Sequence, residues 1–278
     1  MKKLLLILIG LLAVSCLFAQ NHIGVKTDVG LFTTANTSRP AYLGIAVGVQ
    51  YSMFRDFATS PLFYTGTPTH IALSHTDFND KRASSFQFAY AFGNFKSNTI
   101  QEVAVSKVDI FSINYLELFE LSGLSNSRIN LKIGGQFNTV VNIRDNEALG
   151  NNSDGFEVIS TLFGAIKSTI HLNRNPNKSR NDLAFGVNIG LINSAYRNGF
   201  IYTRHSPLLN QDDINEGYAF QVFSGYRLNS TVAYTAWLQN GNALQLSYHW
   251  DMYHTGNRQA AFEMATHLFN CTLLFHLN

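Results

Sequence analysis

Between Ile129 and Arg144 the chain alternates apolar and polar residues with a period of two. Odd positions hold Ile129, Leu131, Ile133, Gly135, Phe137, Thr139, Val141 and Ile143, and even positions hold Asn130, Lys132, Gly134, Gln136, Asn138, Val140, Asn142 and Arg144. Successive side chains of a strand point to opposite faces, so this stretch predicts one apolar and one polar face. It is far longer than the ~5–6 residues of an ordinary strand. A face carrying Lys, Gln, Asn and Arg behind an unbroken apolar face fits a wall with lipid on one side and water on the other.

The same pattern recurs along the chain. Tyr42 to Met53 sets Leu43, Ile45, Val47, Val49, Tyr51 and Met53 against small and polar residues, as a crowded barrel interior requires. Ser85 to Phe92 places Phe86, Phe88, Tyr90 and Phe92 on one face, a patch that is unfavourable in water and ordinary against lipid. Further strands are predicted over 22–31, 70–78, 108–119, 162–172, 183–191, 218–228, 231–238, 244–253 and 263–277. The 108–119 segment carries Asp109 and Glu117 on its apolar face; an amphipathic helix is the alternative there, and its Ile, Tyr and Phe favour strand. Pro61, Gly66 and Pro68 make Arg55 to Thr69 read as a long connection, Asp145 to Gly155 as a polar loop, and Asn193 to Gly217 as the longest non-periodic stretch.

This pattern predicts about twelve antiparallel strands, with ten to fourteen compatible. One conflict remains within it. An outer-membrane barrel with both ends on the periplasmic side needs an even number of strands and short periplasmic turns. The placement of the long connections makes the strand before Arg55 run outward, whereas counting His22 to Leu31 as the first strand makes it run inward. Either that first segment lies outside the barrel or a later strand is miscounted.

Composition narrows the class. Of 278 residues only 14% are charged and 13% are aromatic, which is too little charge for an ordinary solvated surface. Past the first twenty residues no apolar run is long enough for a membrane helix. A closed β-barrel pairs every backbone donor and acceptor and is the remaining membrane solution. A net charge of +2 gives no basis for nucleic-acid binding.

At the N-terminus Lys2 and Lys3 precede apolar Leu4 to Leu12 and then small residues, the layout of an export signal over residues 1–19, cleaved after Ala19. Residues 20–278 would then form a single barrel domain. Cys16 allows the rival reading of a lipoprotein box. Phe18-Ala19-Gln20 resembles signal-peptide ends common in Bacteroidota. After cleavage at Ala19 only Cys271 remains, so no intramolecular disulfide is possible.

Candidate chemistry is sparse. Ser247, His249 and Asp251 alternate along one strand and so share a face, raising the idea of a nucleophile, its base and an orienting acid. Outer-membrane phospholipase A and lipid A deacylases are barrels that use Ser and His on a strand, but those families carry His-x-Ser where this chain has Ser-x-His. The plainer reading is three polar side chains hydrogen-bonded in a wet lumen. His205-Ser206 is a weaker pair, since neighbours on a strand point apart. His254 and His267 are nominal metal partners for His249, yet no zinc-type spacing links them. Neither a cofactor nor a metal site is expected.

With apolar faces outward, Lys132, Gln136, Arg144, Lys167, His171, Arg227, His249 and Asp251 line the lumen, a mildly cationic set suited to an anion-favouring pore or, paired with acids, to a filled interior. Phe163, Phe223 and Trp237 share that face, which favours filling or gating. The mature chain resembles Gram-negative outer-membrane β-barrels as a broad class. The resemblance implies an outer-membrane, non-enzymatic barrel: porin-like, with a narrow channel, or a subunit docking other envelope proteins through Asn193 to Gly217. Outer-membrane lipids and lipopolysaccharide are its expected surroundings, and a lipid hydrolase using Ser247 and His249 is the alternative.

Overall fold

The computed structural model describes residues 40–57, 60–98, 103–147, 154–172, 181–197, 221–222, 226–255 and 261–277. Twelve strand segments occur among them: β1 (Ala41–Asp56), β2 (Ser60–Gly66), β3 (Thr69–Phe78), β4 (Arg82–Asn98), β5 (Val103–Glu120), β6 (Ile129–Asp145), β7 (Asp154–His171), β8 (Asn181–Arg197), β9 (Gln221–Val222), β10 (Tyr226–Trp237), β11 (Ala243–Thr255) and β12 (Phe262–Leu277). Ten of them close a ring of antiparallel neighbours in the order β1, β3, β4, β5, β6, β7, β8, β10, β11, β12 and back to β1. All backbone edges of that ring are paired, which is what a sheet needs to stand in lipid.

The remaining two segments are short. β2 pairs with β1 in the same register as β3, Ser52 facing Gly66 and Val49 facing Thr69, so β2 and β3 are one strand interrupted at Thr67 and Pro68. Pro68 still takes part, since Gln50 N donates to its carbonyl at 3.0 Å. β9 pairs only with the end of β8.

Three sequence expectations are corrected. Arg55 to Thr69 is not a long connection; β1 runs to Asp56 and β2 begins at Ser60, and inward and outward side chains alternate from Leu62 through Pro68 into β3. Leu228 and Thr231 do not belong to separate strands; Tyr226–Trp237 runs unbroken through Asn229 and Ser230, and Asn229 turns inward to accept a hydrogen bond from Asn188, while 218–220 and 223–225 lie outside the described residues. Asn193 to Arg197 belongs to β8, and β7 already begins at Asp154. With Leu228 and Thr231 in one strand, the ring among the described residues holds ten strands, an even number. Both edges of β1 are taken, by β12 and by β2 with β3. The export signal, His22 to Leu31, His205-Ser206 and Phe223 lie outside the described residues.

Faces follow parity. On β6, Ile133 and Phe137 are 46% and 42% exposed, while Lys132 and Gln136 are 7% and 8% exposed. Exposed apolar side chains run around the wall, among them Val47 on β1, Leu73 on β3, Phe88 on β4, Ile166 on β7, Ile189 on β8 and Phe269 on β12. On β5, Phe111, Ile113 and Tyr115 stand between Asp109 and Glu117, eight residues or ~26 Å of strand apart. That matches an apolar band ~25 Å tall with polar margins. A shift of register at Leu162/Phe163 against β8 exchanges the faces of β8, so that Asn193 and Ala195 point inward.

The two ends differ. At one end lie the turns 79–81, 121–128 and 238–242, each closed by an asparagine: Asn79 Oδ1 accepts from the amides of Lys81 and Arg82, Asn126 Oδ1 from those of Arg128 and Ile129, and Asn240 Oδ1 from that of Asn242. Gly241 in the last of these has φ 83°, a left-handed conformation that glycine adopts without strain. At the opposite end, the loop end, β8 stops at Arg197 and β9 begins at Gln221.

Candidate functional site

The interior is layered because inward side-chain size changes along the strands. Midway, Ala46, Ala72 and Ala89 meet on β1, β3 and β4, leaving space. Towards the loop end the inward residues are large, with Phe54, Tyr64, Phe95, Tyr253 and Phe262 in a single buried cluster. Phe54 stacks on Tyr64 with ring centroids 5.1 Å apart and lies 5.3 Å from Phe95.

Within this layer Arg144 crosses the lumen. Its Nη2 lies 2.7 Å from Asp56 Oδ2 and its Nη1 3.2 Å from Glu157 Oε2. Arg144, Asp56 and Glu157 are 6%, 2% and 0% exposed. The guanidinium sits 4.4 Å from the centre of the Phe262 ring, so its faces are covered as well as its edges. Two further struts reinforce the layer. Asn142 on β6 donates to Tyr253 Oη on β11 at 2.8 Å. Arg227 on β10 forms a two-pronged pair with Asp251 on β11, at 3.3 and 2.7 Å, and donates to Thr161 on β7 at 3.3 Å. Charges withdrawn from water as completely as Arg144, Asp56 and Glu157 stand only when paired, and these three are paired with one another.

Below the layer is a cavity of about 790 Å³ that reaches the turn end, where Pro40, Asn79 and Gly241 line it. Its mouth is narrowed by Tyr42, Phe78 and Trp237, with ring centroids 5.1 to 5.6 Å apart. There Asp182 receives Trp237 Nε1 at 2.8 Å and lies 2.6 Å from His171 Nδ1.

The sequence candidates divide between these compartments. Lys132, Gln136, Lys167, His171, Arg227, His249 and Asp251 line the cavity. Arg144 instead lies in the aromatic layer. Ser247 Oγ and His249 Nε2 are 3.1 Å apart, so two of the three catalytic candidates meet. Asp251 does not join them: it is held by Arg227, and His249 Nδ1 is 3.0 Å from Thr231 Oγ1. Asp251 turns instead to Arg227, which lies diagonally across the β10–β11 pair, two residues from its direct partner Asn229. The pair faces the lumen, away from lipid.

His249 is also separated from the other two histidines. His254 and His267 point outward, His254 stacking on Tyr226 with centroids 5.4 Å apart and His267 Nδ1 lying 2.7 Å from Tyr248 Oη. Among the described residues no three His, Cys, Asp or Glu side chains gather to hold a metal. Asp56 and Glu157, which pair with Arg144 in that layer, are absent from the sequence candidates. Asp56 lay in a presumed connection, and the alternation of Asp154 to Thr161 was legible only in part.

No family model matches the chain, and no curated protein matches it in sequence. Among solved structures, the outer membrane protease OmpT from Escherichia coli matches with a TM-score of 0.54 at 7% identity, covering 86% of this chain and 97% of that one. The translocator domain of the autotransporter NalP from Neisseria meningitidis matches at a TM-score of 0.40 and 7% identity, over 85% of this chain and 88% of that one. Neisserial surface protein A matches at 0.38 and 7% identity, over 84% and 97%. The likeness to OmpT is one of fold: the chain is an antiparallel closed β-barrel of the outer-membrane kind.

Proposed function

We propose that the protein is a non-enzymatic outer-membrane barrel whose lumen is a blind compartment, open towards the periplasm at its short-turn end and closed at its loop end. The observation that carries this reading is the triad of Arg144, Asp56 and Glu157, which ties β6 to β1 across the lumen and to its neighbour β7, among a cluster of aromatic rings. Such a layer offers an ion neither water nor unpaired charge, so passive flow has no path through it. Of the two non-enzymatic roles, a narrow channel and a barrel subunit of an envelope assembly, the closed lumen supports the second. Short turns at one end and an exposed apolar girdle around the wall support the orientation.

The lipid-hydrolase reading has the Ser247 to His249 hydrogen bond in its favour. Against it stand the engagement of Asp251 with Arg227 and the inward aim of Ser247, since ester bonds of bilayer lipids lie outside the barrel wall. A liposome-swelling assay tests the proposal. Vesicles bearing the purified protein are expected to swell in arabinose no faster than protein-free vesicles, and swelling at porin-like rates would overturn the closed lumen.

A further inference from the structure

A chain of side-chain contacts crosses the cavity's mouth at the turn end. His171 on β7 lies 2.6 Å from one carboxylate oxygen of Asp182 on β8, and the other oxygen accepts from Trp237 Nε1 at 2.8 Å. From β10 the indole reaches Tyr42 on β1 and Phe78 on β3, with ring centroids 5.3 and 5.6 Å away. Tyr42 and Phe78 stack on each other at 5.1 Å. In the ten-strand ring β8 and β3 stand five steps apart, on opposite sides of the lumen. Trp237 is the side chain that carries this connection from one wall to the other.

Neighbouring residues explain why the indole lies across the opening. Trp237 ends β10, and its cross-strand partner on β11 is Ala243, whose methyl group leaves room above it. Beyond Ala243 comes Leu274 on β12. Tyr42, Ala243 and Leu274 are buried and form one cluster with Phe78 and Trp237, so the side of the mouth bounded by β10, β11, β12 and β1 is filled. On the other side the polar residues Asp80, Asn130 and Thr169 line the cavity. The indole is held at both ends, by its N–H on Asp182 and by its ring on Tyr42 and Phe78.

We infer that Trp237 is the gate of this compartment, latched across its mouth by Asp182. Small solutes pass beside it, by Asn130 and Thr169, and bulky ones enter only when it is displaced. The inference rests on the proposed blind lumen, since a gate at the turn end controls nothing if the loop end is open. Conductance reports the closure of the loop end and thiol labelling reports the gate, so either can fail alone.

The test is the labelling rate of a thiol placed inside the cavity of the full chain in detergent. Gly186 on β8 lines the cavity, and a Cβ there would meet Ile166 O and Thr231 Cβ at an ordinary 3.8 Å, so Gly186→Cys fits. Replacing Cys16 and Cys271 with serine leaves this the only thiol. In that background fluorescein maleimide should react at least about tenfold faster after Trp237→Ala, and Asp182→Ala should speed it in the same direction. A small methanethiosulfonate reagent should label all three chains at rates within about twofold of one another. Heat-modifiable gel mobility checks that each variant is folded. An unchanged fluorescein maleimide rate in folded Trp237→Ala or in folded Asp182→Ala, or an equal acceleration of the small reagent, would each overturn the inference.

Discussion

Arg144 on β6 reaches Asp56 on β1, 88 residues earlier and four strands away around the ring, with 2.7 Å between Nη2 and Oδ2. The contact is a chord of the barrel, not a rung of the sheet. Removing the guanidinium leaves Asp56 and Glu157 buried without their cation, so Arg144→Ala should cost about 3–5 kcal/mol of stability. Urea titration in lipid vesicles measures it. The triple replacement Asp56→Leu, Arg144→Met and Glu157→Leu removes all three charges together and should cost less than the single change.

The outer face makes a different demand. Ile133 sits on the apolar side of β6, and Ile133→Arg should destabilise the folded barrel in vesicles by about 2–4 kcal/mol, the cost of a cation near the bilayer centre. Leu124 is 67% exposed in the turn between β5 and β6, and Leu124→Arg should change stability by less than about 0.5 kcal/mol. Equal effects at both positions would mean that Ile133 faces water.

Cys271 provides a chemical check of the same wall. It is exposed on β12, between Val47 of β1 and Leu246 of β11. In intact outer membranes a charged maleimide should leave it unlabelled, and the same reagent should label it fully after denaturation in SDS. Rapid labelling in the membrane would place this face in water.

Ser247 and His249 are the two catalytic candidates among the described residues that geometry brings together, but they face the lumen. Purified, folded protein is expected to release no fatty acid from phospholipid or lipid A, with Ser247→Ala indistinguishable from the parent chain. Hydrolysis that disappears in Ser247→Ala would contradict this.

Much of the fold was legible because alternation is local: Ile129 to Arg144 declares its own two faces, and β6 spans Ile129–Asp145. The errors came from single residues that break a pattern without breaking a strand. Pro61 and Pro68 read as punctuation, although β2 and β3 share a register across the second of them. Asn229 and Ser230 read as a turn, although a polar residue is at home on the inner face. The site was legible only in part, for a related reason. Parity assigns Arg144 or Asp251 to the lumen, but it carries no information on which acid meets which base across it. Asp251 meeting Arg227 instead of His249, and Arg144 meeting Asp56, are set by strand order and register, which close only when the whole ring does.

The central claim, a lumen closed at its loop end by Arg144, Asp56 and Glu157, is tested most directly by planar-bilayer recording of the purified wild-type protein. The closed layer predicts no conductance steps above the bare bilayer, with steps emerging when the layer is thinned by the triple replacement Asp56→Ala, Arg144→Ala and Glu157→Ala. Reproducible, long-lived steps from the wild-type barrel would contradict it.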